Sequence, residues 1–281
     1  MTNIYCVTHK PIELPAIPGL HALQVGDLEQ SFADYRDNDA CSIADKNPTW
    51  SENTGFYWVW KNRRAESVGF CHYRRFLLPE LLKERLQDQL ESPYDESSGK
   101  GMRNYASGFR VAQAALFDEL ARCGDAYQQA FGGLLEQADI ILPKANQLPP
   151  GGFLGQYTVA HPAWPFFEML ALLSKQDNRL ARSAYEFFAF HKTAHWNNLF
   201  VTRWELFDRY CDFLFPLLFE LEKKISLPAD PYQQRVFAFL SERLLNFWIW
   251  KENLTTLEID WCMTEAIDEG SEAHQRKTRK K

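Results

Sequence analysis

Apolar positions follow two rhythms along this chain. Short β-branched and aromatic runs stop at proline, glycine or a polar cluster, and between them apolar residues recur every three or four positions, the period of a helix. Residues 3–8 are a run of the first kind, ended by His9-Lys10-Pro11 because proline cannot continue a central strand. Residues 21–26 read as a second strand, and the aperiodic polar stretch Asp34-Tyr35-Arg36-Asp37-Asn38-Asp39 after it reads as a loop. After Asn47-Pro48 and Ser51-Glu52, the aromatics Phe56, Tyr57 and Trp60 recur at helical spacing through Lys61. Residues 67–71 then predict a strand and 79–90 an amphipathic helix on Leu81, Leu82, Leu86 and Leu90. The Ser/Gly/Lys-rich residues 92–104 are expected to be mobile. One or two helices broken near Gly124 and Gly132-Gly133 are expected over 110–137, then a strand at 138–143 ended by Pro143. Past Pro149-Pro150-Gly151-Gly152 the pattern is helical again, with a strand at 198–202 and two long helices at 204–225 and 231–250. There is no internal repeat and no long linker.

Strands alternating with helices, followed by a helix-rich half, predict an α/β fold with a mainly parallel sheet flanked by helices. Ligands of such sheets sit beyond the carboxyl ends of the strands, which brings Thr8-His9-Lys10, the Asp37 loop and His72-Tyr73-Arg74-Arg75 to one rim.

Composition narrows the class. A chain of 281 residues, 46% hydrophobic, can bury a large core. A net charge of −6 argues against general nucleic-acid binding, which needs a basic face. The six cysteines are dispersed, with no C-x-x-C, and read as buried thiols of a reducing compartment. With no leader pattern and no apolar run long enough to span a bilayer, the expectation is a cytoplasmic protein. Residues 266–281 form a basic tail, read either as a solvated terminus or as a peripheral anchor to anionic lipid.

Several familiar chemistries lose their support, because G-x-G-x-x-G, G-x-x-x-x-G-K-[ST] and G-x-S-x-G are all missing. His191 and His195 stand at i, i+4 but lack the glutamate of H-E-x-x-H and a third ligand. Asp37-Asn38-Asp39 is a D-x-D, an arrangement that can hold Mn²⁺ or Mg²⁺ against a diphosphate, although Asp and Asn are also ordinary turn formers. The pair Arg74-Arg75 is more specific, since two planar guanidiniums after a strand can neutralise a diphosphate without a metal. The alternative is a strand end facing solvent. In the helix at 231–250, Val236, Phe237, Leu240, Leu244, Phe247 and Trp248 make one face, while Arg235, Glu242 and Asn246 gather on the other. Because the helix is apolar nearly all round, Glu242 must be paired or sit in a cleft, and Arg243 needs a partner too. A structural ion pair and a catalytic carboxylate both fit. Most of the nine tryptophans, Trp58, Trp60, Trp248 and Trp250 among them, stand at helical core spacing.

Taken in order, Ile4-Tyr5-Cys6-Val7-Thr8-His9-Lys10-Pro11, Glu52-Asn53-Thr54-Gly55-Phe56-Tyr57-Trp58, Val68-Gly69-Phe70-Cys71-His72-Tyr73-Arg74-Arg75-Phe76, Ala138-Asp139-Ile140-Ile141-Leu142-Pro143-Lys144 and Ser241-Glu242-Arg243-Leu244-Leu245-Asn246 carry a resemblance. The chain resembles the bacterial capsular and exopolysaccharide biosynthesis proteins of the domain of unknown function 4422 family, which look like glycosyltransferases. The resemblance implies a GT-A-like nucleotide-diphospho-sugar transferase fold and transfer of a sugar, with UDP-galactofuranose the first donor to try, to a glycan or lipid-linked glycan acceptor at the inner membrane face. Residues 1–265 are then one transferase-like domain with a helical insertion over about 78–137. The chain departs from the family in having Cys41-Ser42 where Asp-Asn is common, and in a longer segment between Arg75 and Ala138.

On this reading Thr8, His9, Lys10, Asp37, Asp39, Lys46 and Asn47 hold the nucleotide, with a cation at Asp37 and Asp39 if there is one. His72, Tyr73, Arg74 and Arg75 hold the diphosphate, and Gln156, His161, Asn198 and Arg235 meet the acceptor. Glu242 is the base, oriented by Arg243 or Arg235, with Asp230 or Asp39 next in line. A non-catalytic carbohydrate-binding or scaffold protein of the same fold is the alternative.

Overall fold

The computed structural model describes residues 1–91 and 108–265. The stretch expected to be mobile and the basic tail both lie wholly outside them.

The first half supplies β1 (Thr2–Thr8), β2 (Leu20–Gln24), β3 (Tyr35–Arg36), α1 (Asn47–Trp50), α2 (Asn53–Asn62), β4 (Ser67–His72), β5 (Arg75–Leu78), α3 (Glu80–Leu86), β6 (Gly108–Ala112), α4 (Gln113–Cys123) and α5 (Asp125–Leu135). The second supplies β7 (Ile140–Pro143), β8 (Asn146–Gln147), α6 (Gly152–Ala160), α7 (Trp164–Gln176), α8 (Asn178–Phe190), β9 (Thr193–Ala194), β10 (Phe200–Arg203), α9 (Trp204–Glu222), α10 (Val236–Lys251) and β11 (Thr256–Glu265).

Strands β3, β2, β1 and β4 run parallel, in that order. Beyond them the sheet is mixed, which corrects the expectation of a mainly parallel one. Strand β10 is antiparallel to both β4 and β7, while β11 runs parallel to β7 and β6 and antiparallel to β5. The pair His72 and Arg75 joins β5 back to β4, so β4, β10, β7, β11 and β5 form a closed circuit. The reversed direction of β10 makes part of the difference, and strands β5 and β11, which the pattern does not single out, make the rest. The run Phe76-Leu77-Leu78 is only a few residues long and abuts the helix after Pro79, while β11 follows a long helix directly. The insertion expected to be helical contributes β6 as well as α3, α4 and α5, with strand where a helix was expected to begin at Arg110.

Side chains alternate across the sheet, as the period of two requires. Tyr5, Val7, Val68 and Phe70 join the core beneath α2, α9 and α10, whereas Ile4, Cys6 and Cys71 join the core beneath α3, α4 and α5. All six cysteines are free thiols, and only Cys41 is exposed. Among the described residues no helix is long and apolar enough to cross a membrane.

Helix α6 begins where only glycine fits. Gly152 has φ +60°, and a Cβ there would lie 2.7 Å from the Phe188 carbonyl oxygen, an atom of fixed backbone. Gly152→Ala combines a left-handed conformation with a steric clash, and should cost about 1–3 kcal/mol in a denaturant titration. An unchanged midpoint would contradict this account of the turn.

Candidate active site

The carboxyl ends of β1 and β4 carry the expected cluster. Tyr73 and Arg74 are the two turn residues between β4 and β5, and the Tyr73 amide donates to the Val7 carbonyl at 3.2 Å, tying the turn to β1. The Tyr73 ring lies 5.3 Å from His9 and 4.2 Å from His72, with the Arg74 guanidinium 5.0 Å from its centroid. The abrupt polar ending of an apolar strand is therefore a tight hairpin that presents its tip at the rim.

The Arg74 amide donates to His72 Nδ1 at 3.3 Å, so the neutral ring carries its proton on Nε2. Burial holds the His72 pKa well below its usual range, reinforced by Arg75, Arg74, His9 and Arg235. Burial also lowers His9, with Lys10, Arg74 and Arg235 adding to it. Both imidazoles are thus neutral donors at neutral pH, and the positive charge resides on arginine. Among the described residues Arg74, Arg75 and Arg235 have no carboxylate ion-pair partner, and the buried Nε of Arg74 has no hydrogen bond. Arg235, just before α10, donates from Nε to Ser51 Oγ at 3.0 Å and belongs with this cluster.

Glu242 stands on α10 nearby. Its Oε1 accepts the Asn197 amide at 3.0 Å, and its Oε2 lies 3.3 Å from Arg243 Nη1, a single contact rather than a fork. Burial raises its pKa above the usual carboxylate range, Arg243 and Arg75 oppose the rise, and Glu52 adds to it. Arg243 is 2% exposed and donates to the Phe239 carbonyl and to Gln156 Oε1, both at 2.6 Å. Its guanidinium lies 5.3 Å from the Tyr157 centroid and 4.9 Å from that of Trp196. His161 stacks on Phe239 at 4.0 Å and bonds Gln233 through Nδ1 at 2.9 Å, with burial pushing its pKa down to about 4. Gln156 and His161 thus line the neighbourhood of α10, while Asn198 bonds Glu52 at 2.7 Å.

Most of the other expected residues make contacts within the fold. Thr8 is buried and closes a turn with the Lys10 amide at 3.0 Å. Lys10 is exposed beside His9. Asp37 is fully buried, its Oδ1 accepts the Gly26 amide at 2.9 Å, and burial raises its pKa to about 6. Asp39 accepts from Trp58 Nε1 at 2.7 Å. Asp37 and Asp39 are thus each engaged through Oδ1 by Gly26 and Trp58, while Asp37 Oδ2 is buried with no hydrogen-bond partner among the described residues. Lys46 pairs with Glu222 at 2.9 Å, and Asn47 donates to the Ser51 carbonyl and Thr54 Oγ1, which holds α1 in place. Asp230 accepts the Tyr232 and Gln233 amides at 2.8 and 3.1 Å, both on Oδ1, as a turn former. His191 ends α8 and β9 follows, so His191 and His195 share no helical face, and His195 bonds Glu258 at 2.8 Å. Among the described residues no three His, Cys, Asp or Glu side chains are grouped to hold a metal.

The sequence reading gave no role to Glu52, Ser51 and Asn197. Ser51, Asn197 and Asn198 all have positive φ, at 49°, 71° and 50°. Asparagine tolerates that region better than most residues, so the Asn197-Asn198 pair was a readable signal. Ser51 offered none.

The family described as Domain of unknown function (DUF4422) matches residues 3–253. Among solved structures the chain is similar to the apo structure of the WbbM bifunctional glycosyltransferase, with a TM-score of 0.77 and 24% identity over 94% of this chain and 45% of that one. The chain thus spans less than half of that protein's length. No curated protein matches it.

Proposed function

The chain belongs to the domain of unknown function 4422 family, and from that premise we propose that it is a glycosyltransferase that moves a sugar from a UDP-sugar to a glycan or lipid-linked glycan acceptor. Similarity of fold to a protein described as a bifunctional glycosyltransferase supports the reading. The observation that carries it is the gathering of Arg74, Arg75 and Arg235 with two neutral imidazoles at the carboxyl ends of β1 and β4, beside a buried carboxylate. Guanidiniums without carboxylate partners are the groups a diphosphate requires, and a strand-end rim is where such folds bind it.

In this mechanism the arginines take up the charge that develops as the bond from the anomeric carbon to the diphosphate breaks, its electron pair leaving on UDP. His9 and His72 donate hydrogen bonds to phosphate oxygens. The acceptor oxygen bonds to the anomeric carbon on the opposite face, an inverting displacement, and its proton passes to Glu242. Galactofuranose is the first donor sugar to try. The product is a step of capsular, exopolysaccharide or O-antigen assembly in the cytoplasm, with the basic tail touching the inner membrane surface.

Thermal shift with UDP and a panel of UDP-sugars, with Mn²⁺ or with EDTA, tests this directly. UDP should raise the melting temperature, because a ligand at about 100 times its Kd stabilises by about 2.7 kcal/mol. The shift should persist in EDTA and shrink in Arg74→Ala. UDP should also be released slowly from a UDP-sugar without acceptor. No shift with any nucleotide would overturn the assignment.

A further inference from the structure

Glu52 immediately precedes α2 and makes no side-chain cap to that helix, the ordinary use of an acid in this position. Its Oε1 instead accepts Asn198 Nδ2 at 2.7 Å, and among the described residues its Oε2 has no hydrogen-bond partner. Next to it Ser51, at positive φ, holds Arg235 through Oγ. On the other side Asn197 and Asn198, both at positive φ, divide the carboxylates between them, the Asn197 amide binding Glu242 and the Asn198 side chain binding Glu52. Asn198 is 3% exposed, and its Oδ1 lies buried with no donor among the described residues, as does Oδ1 of Asn53 one residue past Glu52. Strained backbone and unmet hydrogen bonds are costs that packing alone removes, and here they coincide at the positions that fix two carboxylates side by side. The two differ in availability, since both oxygens of Glu242 are contacted and one of Glu52 is open.

We infer that Glu52 is an acceptor-binding residue, whose Oε2 receives the hydrogen bond of the attacking hydroxyl, that of the acceptor sugar or of water in its absence. The inference rests on the transferase reading above. Glu52 is joined on one side, through neighbouring Ser51, to Arg235, where the leaving diphosphate is placed, and on the other, through Asn198 beside Asn197, to Glu242, where the proton goes. A hydroxyl held by Glu52 is oriented by one carboxylate and deprotonated by its neighbour.

The test uses the full chain and whichever of UDP-glucose, UDP-galactose, UDP-N-acetylglucosamine and UDP-galactofuranose the wild type hydrolyses fastest. Glu52→Gln keeps the shape and an oxygen for Asn198. It should lower kcat for UDP release by about tenfold or more, with donor KM and the UDP thermal shift unchanged. The acid limb of the pH profile should also move to lower pH, because the like charge beside Glu242 is gone. A kcat within about twofold of wild type overturns the inference, and so does a fall in kcat accompanied by loss of the thermal shift, which marks a structural role in the donor site. If the wild type releases no UDP from any of the four donors, the transferase reading falls and takes the role of Glu52 with it.

Discussion

Glu242→Gln should slow UDP release by about 10²- to 10⁴-fold, the contribution of a positioned general base, while the UDP thermal shift stays at the wild-type value. Glutamine preserves the shape and can still accept the Asn197 amide, so the loss is of charge and basicity rather than of structure. The pH dependence sharpens the test. A base works deprotonated, and burial raises the Glu242 pKa, so the wild-type rate should fall as pH drops through a value above the ordinary carboxylate range. The residual rate of Glu242→Gln should lack that limb. A variant that keeps the same acid limb would move the base elsewhere.

Arg243→Met should destabilise the protein by about 3–5 kcal/mol, the usual result of removing one partner of a buried pair. Methionine nearly matches the volume, so the cost is electrostatic. It deprives the Phe239 carbonyl, Gln156 Oε1 and Glu242 of donors and takes a cation from between Tyr157 and Trp196. Denaturant titration measures the loss. The double variant with Glu242→Gln should be less destabilised than the sum of the two singles, because no uncompensated charge remains. Additive effects, or a loss of less than about 1 kcal/mol, would mean that the pair is incidental.

Glu242 and Arg243 were legible because charge in a helix apolar on nearly every side has few explanations, and a partner or a cleft is required. The rim was legible for a related reason, since strand ends of a parallel unit fall on one edge. Less legible was the setting of Asp37 and Asp39, in an acidic loop that looks like a ligand set. Whether a loop turns its carboxylates outward or onto its own amides depends on long-range packing, here against Gly26 and Trp58. Glu52 was hidden by the opposite effect. An acid before a helix looks like routine capping, and only the return of Asn198 from far along the chain gives it another task. In the fold, β5 and β11 escaped notice because each is defined by its partner. Ten residues of β11 have three neighbours, none adjacent to it in sequence.

That strand also determines when the molecule can exist. Residues 256–259 pair with 140–143, and residues 260–265 with segments around 76 and 110, so the sheet closes only through contacts of very long sequence separation. Such contacts form late and slowly, since the entropy of closing the loop is lost before the pairing is gained. During synthesis the parallel strands and the rim residues on them emerge first, but β5, β6 and β7 wait with open edges until β11 has been made. The long-lived hazard for this chain is therefore aggregation of a nascent form that still lacks β11, and its dependence on chaperones should be greatest until that strand has been released.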